Sequence, residues 1–243
     1  MSLGVDVEPD CPPYLATQYR GIDEGLPRLL DVLHRAGISA TCFCTGQVAE
    51  RSPDRVREIV SAGHELGCHG HTHRRFDRMR EPDARDELRR SSEVLRGFGV
   101  PVTSFRAPNL RFPAAFLPLL ESEGFHVDSS QARYKAEYYR RPAPTTLTRI
   151  PASTTSSVLR LSPWIRDRWL AALRSPVVLF VHPWEFVDLT RERLRLDCRF
   201  RTGEPALRAL METISFFHAR GATFVRMDEL GARARGRPAP VAA

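Results

Sequence analysis

From residue 3 onward the chain alternates between short β-type runs and helical patterns, an order that few folds accommodate. Leu3-Gly-Val-Asp-Val is followed by a helical pattern from Ile22 to Ala36 that ends at Gly37. Ile38 to Thr45 reads as a second strand, and Ser52-Pro53-Asp54 opens a helix running to Gly63 with proline in its first turn. Further strands are predicted at His64–Cys68, Val102–Arg106, Phe125–Asp128, Thr146–Pro151, Val177–His182 and Thr223–Met227. Helices are predicted at Asp83–Phe98, Ala114–Glu123, Ile165–Arg174 and Pro205–Arg220. Such alternation demands right-handed crossovers and a parallel sheet. Seven or eight units in one chain predict an α/β fold, a single distorted (β/α)7-8 barrel of the TIM-like type, with an open doubly wound sheet as the alternative. There is no GxGxxG or Walker-type glycine loop, which argues against a nucleotide-binding sheet.

At 243 residues and 42% hydrophobic content the chain supports one sizeable core. The barrel is assigned to residues 1–230. Residues 231–243 are rich in arginine, proline and glycine without apolar periodicity, and are expected to be a disordered tail. The net charge of +7 rests on arginine, because Lys135 is the only lysine. These arginines are scattered and no recognition motif accompanies them, so nucleic acid is not an expected partner; an anionic small substrate or a compositional bias accounts better for the charge. No run reaches the apolar length of a membrane span, and no secretion signal precedes the first strand, so the chain is expected to be cytoplasmic, with peripheral membrane contact left open. Five cysteines without a CxxC pair read as free thiols.

The strongest local signal is Gly63-His-Glu-Leu-Gly-Cys-His69-Gly-His71-Thr-His73. In an extended strand His69 and His73 would lie roughly 13 Å apart, whereas two nitrogens on one ion sit within about 4 Å of each other. The chain must therefore turn, and Gly70 permits it; one helical turn would bring the pair together and point His71 elsewhere. The motif lacks the glutamate of HExxH, which disfavours a zincin-type protease. Val5-Asp6-Val7-Glu8-Pro9-Asp10 places acids at alternating positions where the first strand ends, with Asp6 and Glu8 on one face. Two like charges there call for a cation or an arginine between them. Ser104-Phe-Arg106 and Leu179-Phe-Val-His182 each end an apolar run in a charged or titratable residue. In a barrel the carboxyl ends of the strands converge, so Asp6, Glu8, His69, Arg106, Asp128 and His182 are predicted to meet at one mouth. Cys68, next to His69, alternates to the opposite face and reads as core.

Taken together, these segments resemble the polysaccharide deacetylase family, the NodB-homology or carbohydrate esterase family 4 group, over roughly residues 3 to 230. The Asp-Val-Glu-Pro-Asp segment is similar to its DVD/DVE-type intracellular subgroup. The resemblance implies a distorted (β/α) barrel and metal-dependent removal of N-acetyl groups from sugars. It carries the catalytic base onto Asp6, metal ligation onto Glu8, His69 and His73, the arginine that steadies the base onto Arg106, and the general acid onto His182. Asp128 resembles the acid that orients that histidine. Asp10 is the alternative to Glu8 as third ligand, and Pro108, Asn109 and Trp184 are expected to contact substrate.

Two neutral imidazoles and one carboxylate leave positions open on a cation, which is the catalytic rather than the structural arrangement. One divalent ion is expected, zinc first, with cobalt, nickel, manganese or iron as alternatives. The expected substrate is a small-molecule or lipid-linked N-acyl amino sugar. An amidohydrolase acting on a cyclic or small linear amide, and a catalytically silent carbohydrate-binding relative, are the other two readings.

Overall fold

The computed structural model describes residues 1–236. Seven strands, β1 (Ser2–Val7), β2 (Thr41–Cys44), β3 (Glu65–Cys68), β4 (Ser104–Phe105), β5 (Val127–Asp128), β6 (Thr148–Arg149) and β7 (Val178–Val181), form one parallel sheet in the order β6-β5-β4-β3-β2-β1-β7. The helices are α1 (Leu26–Arg35), α2 (Gly46–Arg51), α3 (Pro53–Ser61), α4 (Glu81–Arg96), α5 (Leu117–Ser122), α6 (Pro163–Ala171), α7 (Leu196–Arg199), α8 (Glu204–His218) and α9 (Met227–Ala234). The sheet curls into the distorted barrel expected from the strand and helix alternation. No helix among the described residues is long and apolar enough to cross a membrane.

Every residue of β1 is buried, as a strand paired on both sides and covered on both faces must be. Leu3, Val5 and Val7 join the large core with Ile22, Leu26 and Leu29, while the alternate positions Gly4 and Asp6 meet Arg106 in the interior. α1 buries Leu26, Leu29, Val32 and Leu33, the spacing of one helical face, and Gly37 at φ +63° follows it. β4 to β6 pair over only two residues each; Pro101 and Pro151, which have no amide to donate, lie beside them.

Two expectations are corrected. Thr223–Met227 is not a strand: Met227 opens α9, and the Glu65 carboxylate accepts hydrogen bonds from the amides of Met227 and Asp228 at 2.9 and 3.0 Å. Among the described residues no eighth strand forms, and past the end of β6 the hydrogen bonds to β7 come from Ser153. Its amide donates to Val178 O at 2.8 Å, and its hydroxyl accepts from the Val178 amide at 2.9 Å. The expected tail at 231–243 begins too early, since residues 231–234 complete α9 with Gly231 and Ala232 buried. The remainder of that assignment, residues 237–243, lies outside the described residues.

The interior of the barrel is filled by a cation. The Arg106 guanidinium lies 4.3 Å from the Phe43 ring centre and 5.6 Å from that of Phe180, and it occupies the space that a side chain at Gly4 would need. Gly4→Ala therefore overpacks a pinned group, and a loss of about 1–3 kcal/mol is expected in urea unfolding; an unchanged midpoint would contradict this packing.

Candidate active site

Each site residue sits at or just beyond the carboxyl end of a strand, where the peptide ladder stops and the side chain is free to turn inward. Asp6 lies near the end of β1 and Glu8 just after it, His69 follows β3, Arg106 follows β4 and His182 follows β7. Backbone bonds fix these ends: the His69 amide donates to Cys44 O, and the Arg106 amide to Cys68 O, both at 2.9 Å. All five side chains are buried or nearly so.

The metal-ligand candidates converge. Glu8, His69 and His73 each offer an atom within 4.8 Å of the others. The turn that brings the histidines together is an irregular bend with both Gly70 and His73 in the left-handed region, at φ +76° and +58°, rather than a helical turn. His69 Nδ1 lies 2.6 Å from the carbonyl oxygen of Arg106, an acceptor only, so Nδ1 carries the proton and Nε2 presents a lone pair toward Glu8 Oε2 at 3.2 Å. His73 Nε2 approaches the same oxygen to 2.5 Å, yet is buried without a hydrogen bond. Lone pairs crowded in this way are what a divalent cation accepts, and the donor set of two imidazoles and a carboxylate fits one. Burial acts to raise the Glu8 pKa, but the neighbouring His73 and His182 outweigh it and hold the carboxyl well below its usual range.

Asp10 is not among these donors. Its carboxylate accepts from the backbone amides of Arg20 and Gly21, at 2.9 and 2.8 Å, and so anchors the loop after β1. His71 is buried against Glu50, with Nε2 3.7 Å from that carboxylate, away from the cluster. Cys68 is buried beside Ser91, as its alternation implied.

Asp6 and His182 face each other across the same space. Arg106 Nη1 donates to Asp6 Oδ1 at 2.7 Å, and Arg106 Nη2 donates to the Ser129 hydroxyl at 3.0 Å. Asp6 Oδ2 is left turned toward His182 Nε2, 4.0 Å away, and that nitrogen is 3.9 Å from Glu8 Oε1.

The acid that orients His182 is Glu185 and not Asp128. Glu185 Oε1 lies 2.7 Å from His182 Nδ1 and accepts from the His182 amide, while Oε2 pairs with the buried Arg160 guanidinium at 3.0 Å. Asp128 is occupied elsewhere: it accepts from Arg149 Nε and from the Ser130 amide, each at 2.9 Å. Arg149 is its direct neighbour in the ladder, which is why the pair forms. Burial by itself would lower the His182 pKa; Glu8, Glu185 and Asp6 overcome it and hold the imidazolium up to about 9. Arg160 in turn keeps Glu185 below the usual carboxylate range against the opposing effect of burial. The sequence signal for Glu185 was the spacing His182-Pro-Trp-Glu185, a histidine, a helix-opening proline and an acid three residues on.

Of the expected substrate contacts, Asn109 lines the cavity of about 900 Å³ above Glu8, His73 and His182, and Pro108 is buried outside it. Trp184 borders the same cavity, but its main contacts are internal. It stacks on His182 with ring centres 4.6 Å apart, and its Nε1 donates to Glu8 Oε1 at 3.1 Å, so it holds Glu8 and His182 together.

A buried N/O donor set that could hold one cation, with Asp6 and His182 beside it at the carboxyl ends of a parallel barrel, defines the class of the site. The family follows from comparison with known proteins: residues 10–127 match the polysaccharide deacetylase family model, and the chain belongs to that family, the NodB-homology carbohydrate esterase family 4 group. A peptidoglycan deacetylase of Helicobacter pylori is 34% identical over 44% of the chain, and a peptidoglycan deacetylase-like protein of Gibberella zeae is 30% identical over 68%. The chain spans 36% and 48% of the lengths of these two relatives. The structure of a family 4 carbohydrate esterase from Streptomyces lividans, bound to acetate, superposes with a TM-score of 0.62 at 18% identity, covering 93% of this chain and 90% of that one.

If Glu185 sustains His182 as a proton donor, activity falls as pH rises through the His182 pKa, because the neutral imidazole has no proton to give. Glu185→Gln removes a raising charge, so the alkaline limb of kcat/KM should move to lower pH by about one unit or more. Adding Arg160→Met removes the stranded buried cation and should restore stability without moving the limb back. A limb that stays in place in both variants would show that Glu185 does not act on His182.

Proposed function

We propose that this chain is a metal-dependent hydrolase that removes an N-acyl group, acetyl foremost, from an amino-sugar-containing substrate. The observation that carries the reading is that Asp6 Oδ2 and His182 Nε2 face one space beside the Glu8, His69 and His73 donors. The peptidoglycan deacetylase names of the relatives support the choice of substrate class.

Glu8, His69 and His73 would hold one divalent cation, zinc first, with cobalt, nickel, manganese or iron compatible with the same donors. Such an ion supplies Lewis-acid polarisation of the acyl oxygen and a bound water of lowered pKa. Asp6 takes the water's proton on Oδ2, since Oδ1 is committed to Arg106. Arg106 fixes the direction of that carboxylate by a charge-assisted hydrogen bond, and Ser129 fixes the guanidinium. His182 stands ready in its protonated form to donate from Nε2 to the departing nitrogen, with Glu185 on Nδ1. Trp184 and Phe180 wall the cavity and limit the access of bulk water to this exchange.

Acetate release from N-acetylated chitooligosaccharides, with metals titrated into chelator-stripped protein, tests the reading. Asp6→Asn should lower turnover by about 10²–10⁴-fold with metal content retained, the scale of a lost general base. His69→Ala combined with His73→Ala should abolish metal binding. Wild-type turnover by metal-free Asp6→Asn protein would contradict the mechanism. Hydrolysis confined to cyclic or small linear amides in the same panel would replace the sugar substrate.

A further inference from the structure

A second cavity of about 700 Å³ adjoins the one above Glu8, and both are lined by Arg111 and Lys135. Lys135 Nζ is fixed there by two neutral acceptors, the carbonyl oxygens of Asn109 at 2.6 Å and Leu110 at 3.2 Å. Both of those residues hold left-handed backbone, at φ +58° and +51°, a conformation that non-glycine residues rarely adopt. The chain thus sustains strained backbone to position an ammonium that makes no ion pair among the described residues. Arg111 reaches Glu137 at 3.4 Å and Asp77 at 3.9 Å, but Asp77 is already engaged by Arg75 through two hydrogen bonds, at 2.9 and 2.5 Å. The cavity wall also carries Arg74 and Arg78, which make no ion pair among the described residues. Positive charge is therefore left over at the junction, on residues that line the cavity above Glu8 together with Asn109. Burial, with Arg111 adding to it, lowers the Lys135 pKa to about 8, so the ammonium is still charged at neutral pH and gains from a nearby anion.

We propose that this junction is an anion subsite, and that the substrate is an N-acylated amino sugar bearing a phosphate or carboxylate that Lys135 and Arg111 bind beside the scissile amide. The N-deacetylase reading supplies what the anion is attached to; the subsite itself stands on the geometry. Lys135 offers a point charge with free donor capacity, and Arg111 a planar fork suited to two oxygens. The buried arginines Arg106 and Arg160 are paired with Asp6 and Glu185, whereas the charge at this junction borders the cavity that receives substrate.

Isothermal titration of the whole protein with three sugars tests the assignment: N-acetylglucosamine, its 6-phosphate, and its 3-O-lactyl carboxylate derivative. At least one anionic sugar should bind about tenfold more tightly than the neutral one, the scale of a single charge-assisted hydrogen bond. The preference should shrink to about twofold in Lys135→Gln with Arg111→Gln, and also in wild-type protein at high salt, while Lys135→Arg should keep most of it. Preference for the phosphate alone or for the carboxylate alone identifies the source of the charge. Equal affinity for all three sugars, or a preference that survives Lys135→Gln with Arg111→Gln, overturns the subsite. Anion preference without acetate release from any of the sugars would leave the subsite standing and remove the deacetylase reading.

Discussion

Asp6 and Arg106 meet 2.7 Å apart inside the barrel, both buried, and the rest of the site is arranged around that contact. An arginine so placed needs its charge balanced, and removal of one member of such a pair costs about 3–5 kcal/mol. Asp6 supplies the charge, Ser129 a further acceptor, and the faces of Phe43 and Phe180 the surroundings. Because β1 and β4 are separated in the sheet by β2 and β3, the pair crosses the interior and ties distant strands together. The same residue also orients a candidate metal ligand, since its carbonyl oxygen accepts the hydrogen bond donated by His69 Nδ1. One residue therefore aims Asp6 with its side chain and a candidate ligand with its backbone.

The remaining charges form a linked series. Arg160 balances Glu185, Glu185 holds His182, and Trp184 spans from the His182 ring to Glu8. Glu8 meets the two histidines through its other oxygen. Each group in this series is buried or nearly so, and each would be costly alone. The close approach of His73 Nε2 to Glu8 without a hydrogen bond marks a place in the series where the protein's own groups do not satisfy one another. It lies where a cation would be received.

Much of this was legible in the sequence. Strands β1, β2, β3 and β7 announce themselves as apolar runs that end in polar residues, because a strand buried on both faces can place charge only at its end. Asp6, Glu8, Arg106 and His182 were found at such strand ends, and His69 and His73 from the spacing of the histidines that follow β3. The same rule misled at Asp128, a buried strand-end acid whose role depends on Arg149 in the adjacent strand, and pairing across a ladder is not visible in one sequence. Glu185 was missed because its significance comes from Arg160, 25 residues earlier, and from a short helical turn after β7 that folds it back onto His182. Thr223–Met227 has strand-like residues but forms no strand, and past the end of β6 the hydrogen bonds to β7 come from Ser153. Lys135 was noted only as the lone lysine; its setting depends on the left-handed backbone at Asn109 and Leu110.

The central claim is that Glu8, His69 and His73 hold one catalytic cation. X-ray absorption at the zinc edge of protein reconstituted with one equivalent of zinc tests it most directly, read together with anomalous diffraction from crystals of the same preparation. The account predicts a single ion on two histidine nitrogens at about 2.0–2.1 Å and on carboxylate or water oxygen, located at Glu8, with no sulfur in its shell. An ion on Asp10, or a shell containing a cysteine sulfur, would contradict it.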